Sequence, residues 1–319
     1  MTEVSSGKDS TSGHWELAGI ISPKDFDYFH GGFPPEIVNH FLEVTGCKGI
    51  LGNKAASGTE IIKELGEEHI KTGFPIVYTS ADSVFQIAAH EEYFGLDRLY
   101  KICELSRHEV LKDYFVGRVI ARPFVGESAE TFKRTTNRRD YSLDPPSETM
   151  LDYLTMNGIK TVGIGKIGDL YNEKGLSEII HTKSNAEGCA ATLKSMNENS
   201  DSFIMTNLVD FDVYFGHRLD PKGFANALED FDQFLPEILN SMDESDVLLI
   251  TADHGNDPTV TSTDHTREFV PVILTGNKAT PGELGVRTSF ADAGKTVLDW
   301  FGIDAPIAGT SFLNKAAND

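Results

Sequence analysis

The chain has 319 residues, 39% hydrophobic and 24% charged, which is enough for one large domain or two of ordinary size. Its 49 acidic and 28 basic residues leave a formal net charge of −21, which argues against nucleic acid or an anionic membrane surface as a partner. A phosphate substrate is not excluded, because an arginine cluster or a metal pair can reverse the field inside a cleft.

At the start, Met1 to Asp9 has no apolar run of the kind a signal peptide needs. Ser6-Gly7-Lys8-Asp9-Ser10-Thr11-Ser12-Gly13-His14-Trp15-Glu16 places hydroxyls between glycines, ahead of a helical possibility at Trp15 to Ala18. A hydroxyl held at a helix N-terminus sits where an anion is also welcome. The stretch from Ile21 to Pro145 is mixed. The spacing predicts helices at Pro35 to Val44 and Glu60 to Leu65, and strands at Pro75 to Tyr78 and Val116 to Ala121. It turns polar and basic at Phe132 to Asp140, and Asp144-Pro145-Pro146 reads as a hinge.

Beyond the hinge, strand and helix alternate. Strands are expected at Ile159 to Gly165, Phe203 to Val209, Val247 to Ala252 and Phe269 to Leu274. Helices are expected at Ala186 to Met196, Gly223 to Met242 and Ala291 to Phe301. This βαβ series implies an α/β fold, a mostly parallel sheet with helices on both faces. The stretch before the hinge is expected to form an inserted α+β cap, residues 22–145, within a core built from residues 1–21 and 146–319. No window reaches the roughly 18 apolar residues of a membrane-spanning helix. Cys47, Cys103 and Cys189 are scattered with no ligand spacing, so reduced buried thiols in a cytoplasmic protein are expected.

Two of these strands end in metal-binding chemistry. The strand at Val247 runs into Asp253-His254-Gly255-Asn256, and a second histidine, His265, returns from the next loop. The strand at Phe203 ends in Asp210-Phe211-Asp212, with His217 in the same loop. Ligands gather beyond the carboxyl ends of strands in open α/β sheets. Carboxylate and imidazole together suit zinc or manganese better than calcium or magnesium. A pair of such metals clamps the attacking and leaving oxygens of a phosphoryl transfer.

Gly7 to Glu16, Tyr78 to Val84, Gly117 to Phe124, Asn207 to Asp212 and Thr251 to Pro258 together resemble phosphopentomutases, a family of the alkaline phosphatase superfamily. The resemblance covers nearly all of the chain and implies an alkaline-phosphatase-like core with a cap. It implies interconversion of ribose or deoxyribose 1-phosphate with the 5-phosphate through a phosphorylated hydroxyl, two divalent metal ions (manganese) and a sugar bisphosphate as activator. The phosphorylated threonine of the family is matched by Ser10. Asp253 and His254, with the Ser10 oxygen, match ligands of one metal; Asp212, His217 and His265 match those of the other. Ser80, Asp82, Arg118, Ile120 and Arg134 match the sugar-phosphate grip, and Lys166 is a further candidate. Arg118 suits a phosphate because a guanidinium bonds two oxygens at once.

Family members are also alike in an N-terminal apolar strand ending in Met-Asp-Ser, whose aspartate binds the first metal. No such strand is found here, so the first metal is expected to lack a carboxylate and the sheet an interior strand, as in a fragment or a late start. Ser10, near the start of the sequence, is expected to fray. Two alternatives stand beside the mutase: a metal-dependent phosphatase or other phosphosugar mutase on the same site, and an inactive pseudo-enzyme that binds sugar phosphates.

Overall fold

Helix α1, Ser10–Leu17, begins where Asp9 caps it. One Asp9 carboxylate oxygen accepts the Thr11 and Ser12 amides at 2.9 and 3.1 Å, and the other accepts the Ser12 hydroxyl at 2.6 Å. An aspartate here satisfies amides that a helix start leaves without partners. The structure, a computed structural model, describes residues 1–80, 82–277, 279 and 281–313. The chain divides into two compact units, Met1–Lys24 with Asp144–Asp319, and Asp25–Leu143.

In the second unit, α2 (Pro35–Thr45) starts with proline at its first position and stops at Gly46, whose φ of 69° is left-handed. Proline is tolerated where no amide donor is needed, and glycine takes that φ without penalty. Strand β1 (Leu51–Ala55), α3 (Gly58–Thr72), β2 (Ile76–Thr79), β3 (Val84–His90), α4 (Leu96–Leu105), β4 (Arg118–Val125), β5 (Lys133–Arg134) and β6 (Arg139–Ser142) follow. They form a mixed sheet in the order β1-β2-β3-β4-β5, with β6 also on β4. Side chains alternate across it. Val77, Phe85, Ile87, Val119 and Ala121 pack on one face with Ile37 and Phe41 of α2 and Leu99 and Ile102 of α4. Ile76, Tyr78, Ala88 and Phe124 pack on the other with Ile61 and Ile62 of α3.

The first unit resumes with α5 (Met150–Met156), β7 (Lys160–Ile164), α6 (Ile167–Leu170), β8 (Glu178–Ile180), α7 (Asn185–Glu198), β9 (Ser202–Thr206), a π-helical turn at Phe211–Gly216, α8 (Pro221–Ser241), β10 (Leu248–Thr251), β11 (Val272–Thr275) and α9 (Ala291–Trp300). Strands β8, β7 and β9 form a parallel sheet in that order, joined by helices as the alternating pattern requires. The chain is therefore α/β, but one pair departs from the parallel expectation. Strands β10 and β11 pair antiparallel, Leu248 opposite Thr275 and Thr251 opposite Val272. The connection between them holds no helix, and a parallel return would need a crossover. Along α8, Ile238 is buried, whereas Leu228 and Leu239 stay exposed.

The opening segment is held from both sides. The buried Glu16 carboxylate accepts the Val4 and Ser5 amides, the nearest at 2.7 Å, together with the Ser289 hydroxyl and the Phe290 amide. The Arg267 guanidinium donates to the Ser5 and Ser6 carbonyls at 3.0 and 2.6 Å. Val270 donates its amide to the Met1 carbonyl. Ser10 is thus anchored, contrary to the fraying expected from its place in the sequence. Among the described residues, no helix is long and apolar enough to cross a membrane.

Phe85 lies between Phe33 and Phe41, with ring centroids 4.4 and 5.8 Å away. Phe85→Ala is expected to lower stability by about 3–5 kcal/mol, through lost burial and an unfilled cavity. A urea midpoint equal to that of the parent chain would contradict this packing.

Candidate active site and metal centre

Asp253 lies just past β10, and α1 runs directly against it. A Cβ on Gly13 would come within 1.8 Å of the Asp253 carbonyl oxygen. This contact brings His14, one turn after Ser10 and on the same helix face, to the carboxylate. His14 Nδ1 donates to the Ser10 carbonyl at 2.8 Å and stands 3.0 Å from Asp253 Oδ2. The Tyr171 hydroxyl donates to the His14 carbonyl, and the two rings meet edge to face. Burial opposes the charge on both partners. It is outweighed by their attraction and shared hydrogen bond, which raise the His14 pKa and, with help from His254, hold the Asp253 carboxyl well below the usual range.

Ser10 Oγ is 3.1 Å from His254 Nε2. His254 donates from Nδ1 to the Gly255 carbonyl at 3.2 Å, and its Nε2 lies 3.5 Å from Asp253 Oδ2. A bridge between Gly255 and Thr266 folds the following loop back and stacks His265 on His254, centroids 3.9 Å apart. Lys8 fastens that loop to α1's approach, donating to Asp264 Oδ2 at 2.7 Å and to the His265 carbonyl at 2.8 Å.

Asp212 comes from the π-helical turn after β9. Its Oδ1 accepts from Asn256 Nδ2 at 2.6 Å and lies 3.2 Å from both His217 Nε2 and His265 Nε2. His217 donates from Nδ1 to the Thr263 carbonyl at 2.6 Å. Burial works against ionisation of Asp212, but the adjacent His265 imidazole and the Asn256 amide prevail and hold its pKa at about 2. Burial likewise opposes the charge on His265, and Asp212 reverses that and raises its pKa.

These residues fit a divalent metal. The ligand atoms of Asp212, His254 and His265 all lie within 4.8 Å of one another. His265 Nε2 is buried and, although close to Asp212, is not aligned to hydrogen-bond with it. His217 and His254 each spend Nδ1–H on a backbone carbonyl, which leaves Nε2 as a bare lone pair facing a carboxylate. A cation belongs between such groups, and imidazole with carboxylate is a transition-metal donor set.

Ser10, Lys166, Asp212, Asp253 and His254 line one cleft of about 90 Å³, with Asn207, Phe211 and Asn256. Five of the residues expected from sequence therefore share a wall, and His217 and His265 adjoin it through Asp212. The two ligand sets expected from sequence are not separate, because His254 belongs with Asp212 and His265 as well as with Ser10 and Asp253. The remaining five lie in the unit Asp25–Leu143. Ser80 follows β2, its hydroxyl accepting the Asp82 amide at 3.4 Å. Arg118 opens β4, exposed and 3.4 Å from Asp140 Oδ2, which also accepts from Arg138. Ile120 is buried in β4, and Arg134 is exposed on β5. Sequence reasoning passed over His14 and Asn256. The spacing of His14 from Ser10 on one helix was the available signal; nothing local marks Asn256 as the partner of Asp212.

Residues 10–305 match a model of the metalloenzyme superfamily, and the chain belongs to that class of protein. A phosphopentomutase of Clostridium acetobutylicum is 52% identical over 313 residues, covering 98% of this chain and 80% of that one. A phosphopentomutase of Clostridioides difficile is 53% identical over 311 residues, covering 97% and 80%. One of Acetivibrio thermocellus is 51% identical over 314 residues, covering 98% and 80%. The chain belongs to the phosphopentomutase family, as its motifs indicated, and is an enzyme of the isomerase class.

Gly13→Ala tests the junction of α1 with Asp253. The added methyl must push the two backbones apart, at a cost of about 1–3 kcal/mol. Affinity for divalent metal, titrated with manganese as the probe, is expected to fall at least about tenfold, since the candidate ligands on the two elements move apart. Unchanged manganese titration and melting temperature would contradict the contact.

Proposed function

We propose that the chain interconverts ribose 1-phosphate or deoxyribose 1-phosphate with the 5-phosphate through a phosphorylated Ser10. One observation carries the reading: the Ser10 hydroxyl opens into the cleft lined by Asp212, Asp253, His254 and Lys166. The identity to phosphopentomutases supports it. Asp253 and His254, with the Ser10 oxygen, would hold one divalent metal, and Asp212, His217 and His265 a second, with manganese suited to both. The metals would lower the pKa of the hydroxyl and neutralise charge on the transferring group.

In the transfer, phosphorylated Ser10 gives its phosphoryl group to the C5 hydroxyl of ribose 1-phosphate. The C5 oxygen–phosphorus bond forms, the serine oxygen–phosphorus bond breaks, and the hydroxyl proton ends on the serine oxygen. The bisphosphate then returns its C1 phosphoryl group to Ser10, and the proton passes back to the C1 oxygen. A sugar bisphosphate acts as activator because it can phosphorylate Ser10 directly. Asp9, as cap, fixes the first turn of α1 so that Ser10 keeps one orientation. His14 keeps Asp253 charged and turned toward the cleft. Lys166 brings a positive charge to the wall that the phosphoryl group would meet. Ser80, Asp82, Arg118, Ile120 and Arg134 are proposed as sugar-phosphate contacts in a cap of residues 22–145.

Incubation with ribose 1,5-bisphosphate followed by phosphopeptide mapping decides the nucleophile. Label is expected on Ser10; label on Thr11 or Ser12 with none on Ser10 would overturn the reading. His265→Ala is expected to weaken manganese binding more than about tenfold and to remove turnover. Full manganese content in that variant would refute its place among the ligands.

A further inference from the structure

Asn256 stands where the ligand-bearing loops after β9 and β10 meet. It follows Asp253 and His254 in the chain, and its amide reaches across to the π-helical turn Phe211–Gly216. Asn256 Nδ2 donates to Asp212 Oδ1 at 2.6 Å, the short contact of a bond to a charged acceptor. The same oxygen lies 3.2 Å from both His217 Nε2 and His265 Nε2. A carboxylate oxygen has two lone pairs, so one can take the amide while the other faces a metal.

The seat of this amide is closely shaped. Gly216 ends the π-helical turn and is buried. A Cβ there would lie 2.4 Å from both Asn256 Cγ and Nδ2, and 2.7 Å from Oδ1. The amide therefore rests on the Gly216 backbone. The Gly216 φ is not positive, so space rather than backbone freedom calls for glycine. The orientation of the amide is fixed as well. Its nitrogen must face Asp212, because an ionised carboxylate accepts and does not donate. Asn256 Oδ1 is then left buried, with no partner among the described residues. An unpaired buried acceptor is unfavourable, and a leucine of similar volume would avoid it. What the asparagine supplies is the donor.

The neighbours of Asn256 complete the picture. Gly255 exchanges backbone hydrogen bonds with Thr266 at 3.1 and 2.8 Å, next to His265. Gly216 directly precedes His217. Asn256 is thus tied to each segment that carries a proposed Asp or His ligand.

We infer that Asn256 is a positioning residue that couples the two proposed metal positions. By fixing Asp212 relative to the Asp253-His254 segment, it makes an ion held by one ligand set order the other set. The two ions then bind cooperatively, and the coupling acts equally in both directions. The inference rests on the two-metal part of the proposed function and not on the identity of the sugar.

Manganese is titrated into the metal-free full chain, and the free ion is followed by electron paramagnetic resonance. The parent is expected to bind two ions with positive cooperativity. Asn256→Leu keeps the volume and removes the donor. It is expected to weaken the position at Asp212 at least about tenfold and to leave the two ions binding independently. Gly216→Ala must displace the amide and is expected to give the same loss, which carries the test should Asn256→Leu not fold. With Asn256→Ala the added methyl has room, so the double variant is expected to lose no more than Asn256→Ala alone. In a His265→Ala background, Asn256→Leu is expected to leave the affinity of the remaining ion unchanged, whereas general loosening of the fold would lower it. Parent affinity and cooperativity in Asn256→Leu would overturn the inference, as would two ions that bind the parent independently. A parent that binds fewer than two ions would refute the two-metal reading and this inference together. Coupling lost in Asn256→Leu, in a chain whose parent shows no mutase turnover, would refute the mutase and support the coupling.

Discussion

Gly13 approaches the Asp253 carbonyl so closely that no side chain fits between them, and the candidate site is arranged around that contact. It joins the helix that begins with Ser10 to the end of β10. Everything Ser10 faces follows from it: His14 reaches Asp253, His254 reaches the serine hydroxyl, and the loop after His254 folds back to bring His265 over it. Glu16 and Arg267 stabilise the same junction from behind. The buried anion takes amides of the opening segment, and the cation takes its carbonyls. With donors and acceptors of the opening segment satisfied by two charged side chains, Ser10 sits on a fixed platform.

The second constraint is electrostatic. Several imidazole nitrogens and two carboxylates converge in a partly buried cleft, which is unfavourable unless something positive lies between them. Backbone carbonyls remove the freedom of His217 and His254 by claiming their Nδ1 protons. What is left are lone pairs aimed at carboxylates. Mutual attraction already lowers the Asp212 pKa and raises that of His265; divalent cations would place more positive charge there per ion. Lys166 and the start of α1 add positive character on the side where a phosphoryl group would enter. With such cations bound, the cleft of this acidic protein would turn locally cationic toward an anionic substrate.

Much of this was legible in the sequence because the relevant signals are local. Apolar runs ending in Asp253-His254 and in Asp210-Phe211-Asp212 mark strand ends that carry candidate ligands, and the motifs around Ser10 named the family. Strand β3 left no such mark. Val84–His90 is buried along its whole length, with Gln86 and His90 inside, so neither alternation nor an unbroken apolar run betrays it. The antiparallel pairing of β10 and β11 depends on what the intervening loop lacks, which a strand pattern does not convey. His254 joins both ligand sets because Gly255 bridges Thr266, a contact no spacing rule supplies. The pairing of His14 with Asp253 and the seating of Asn256 on Gly216 come from residues far apart in the chain, brought together only by packing.

The central claim, a proposal, is that divalent cations are held by Asp212, His217 and His265 and, beside the Ser10 hydroxyl, by Asp253 and His254. Anomalous scattering at the manganese edge, from crystals of the full chain grown with manganese, addresses it directly. The account predicts an anomalous peak within about 2.0–2.4 Å of Asp212 and His265 donor atoms, with a second position reached by Asp253 and Ser10. Ordered Asp212, His217 and His265 side chains with no anomalous peak among them, at saturating manganese, would contradict it.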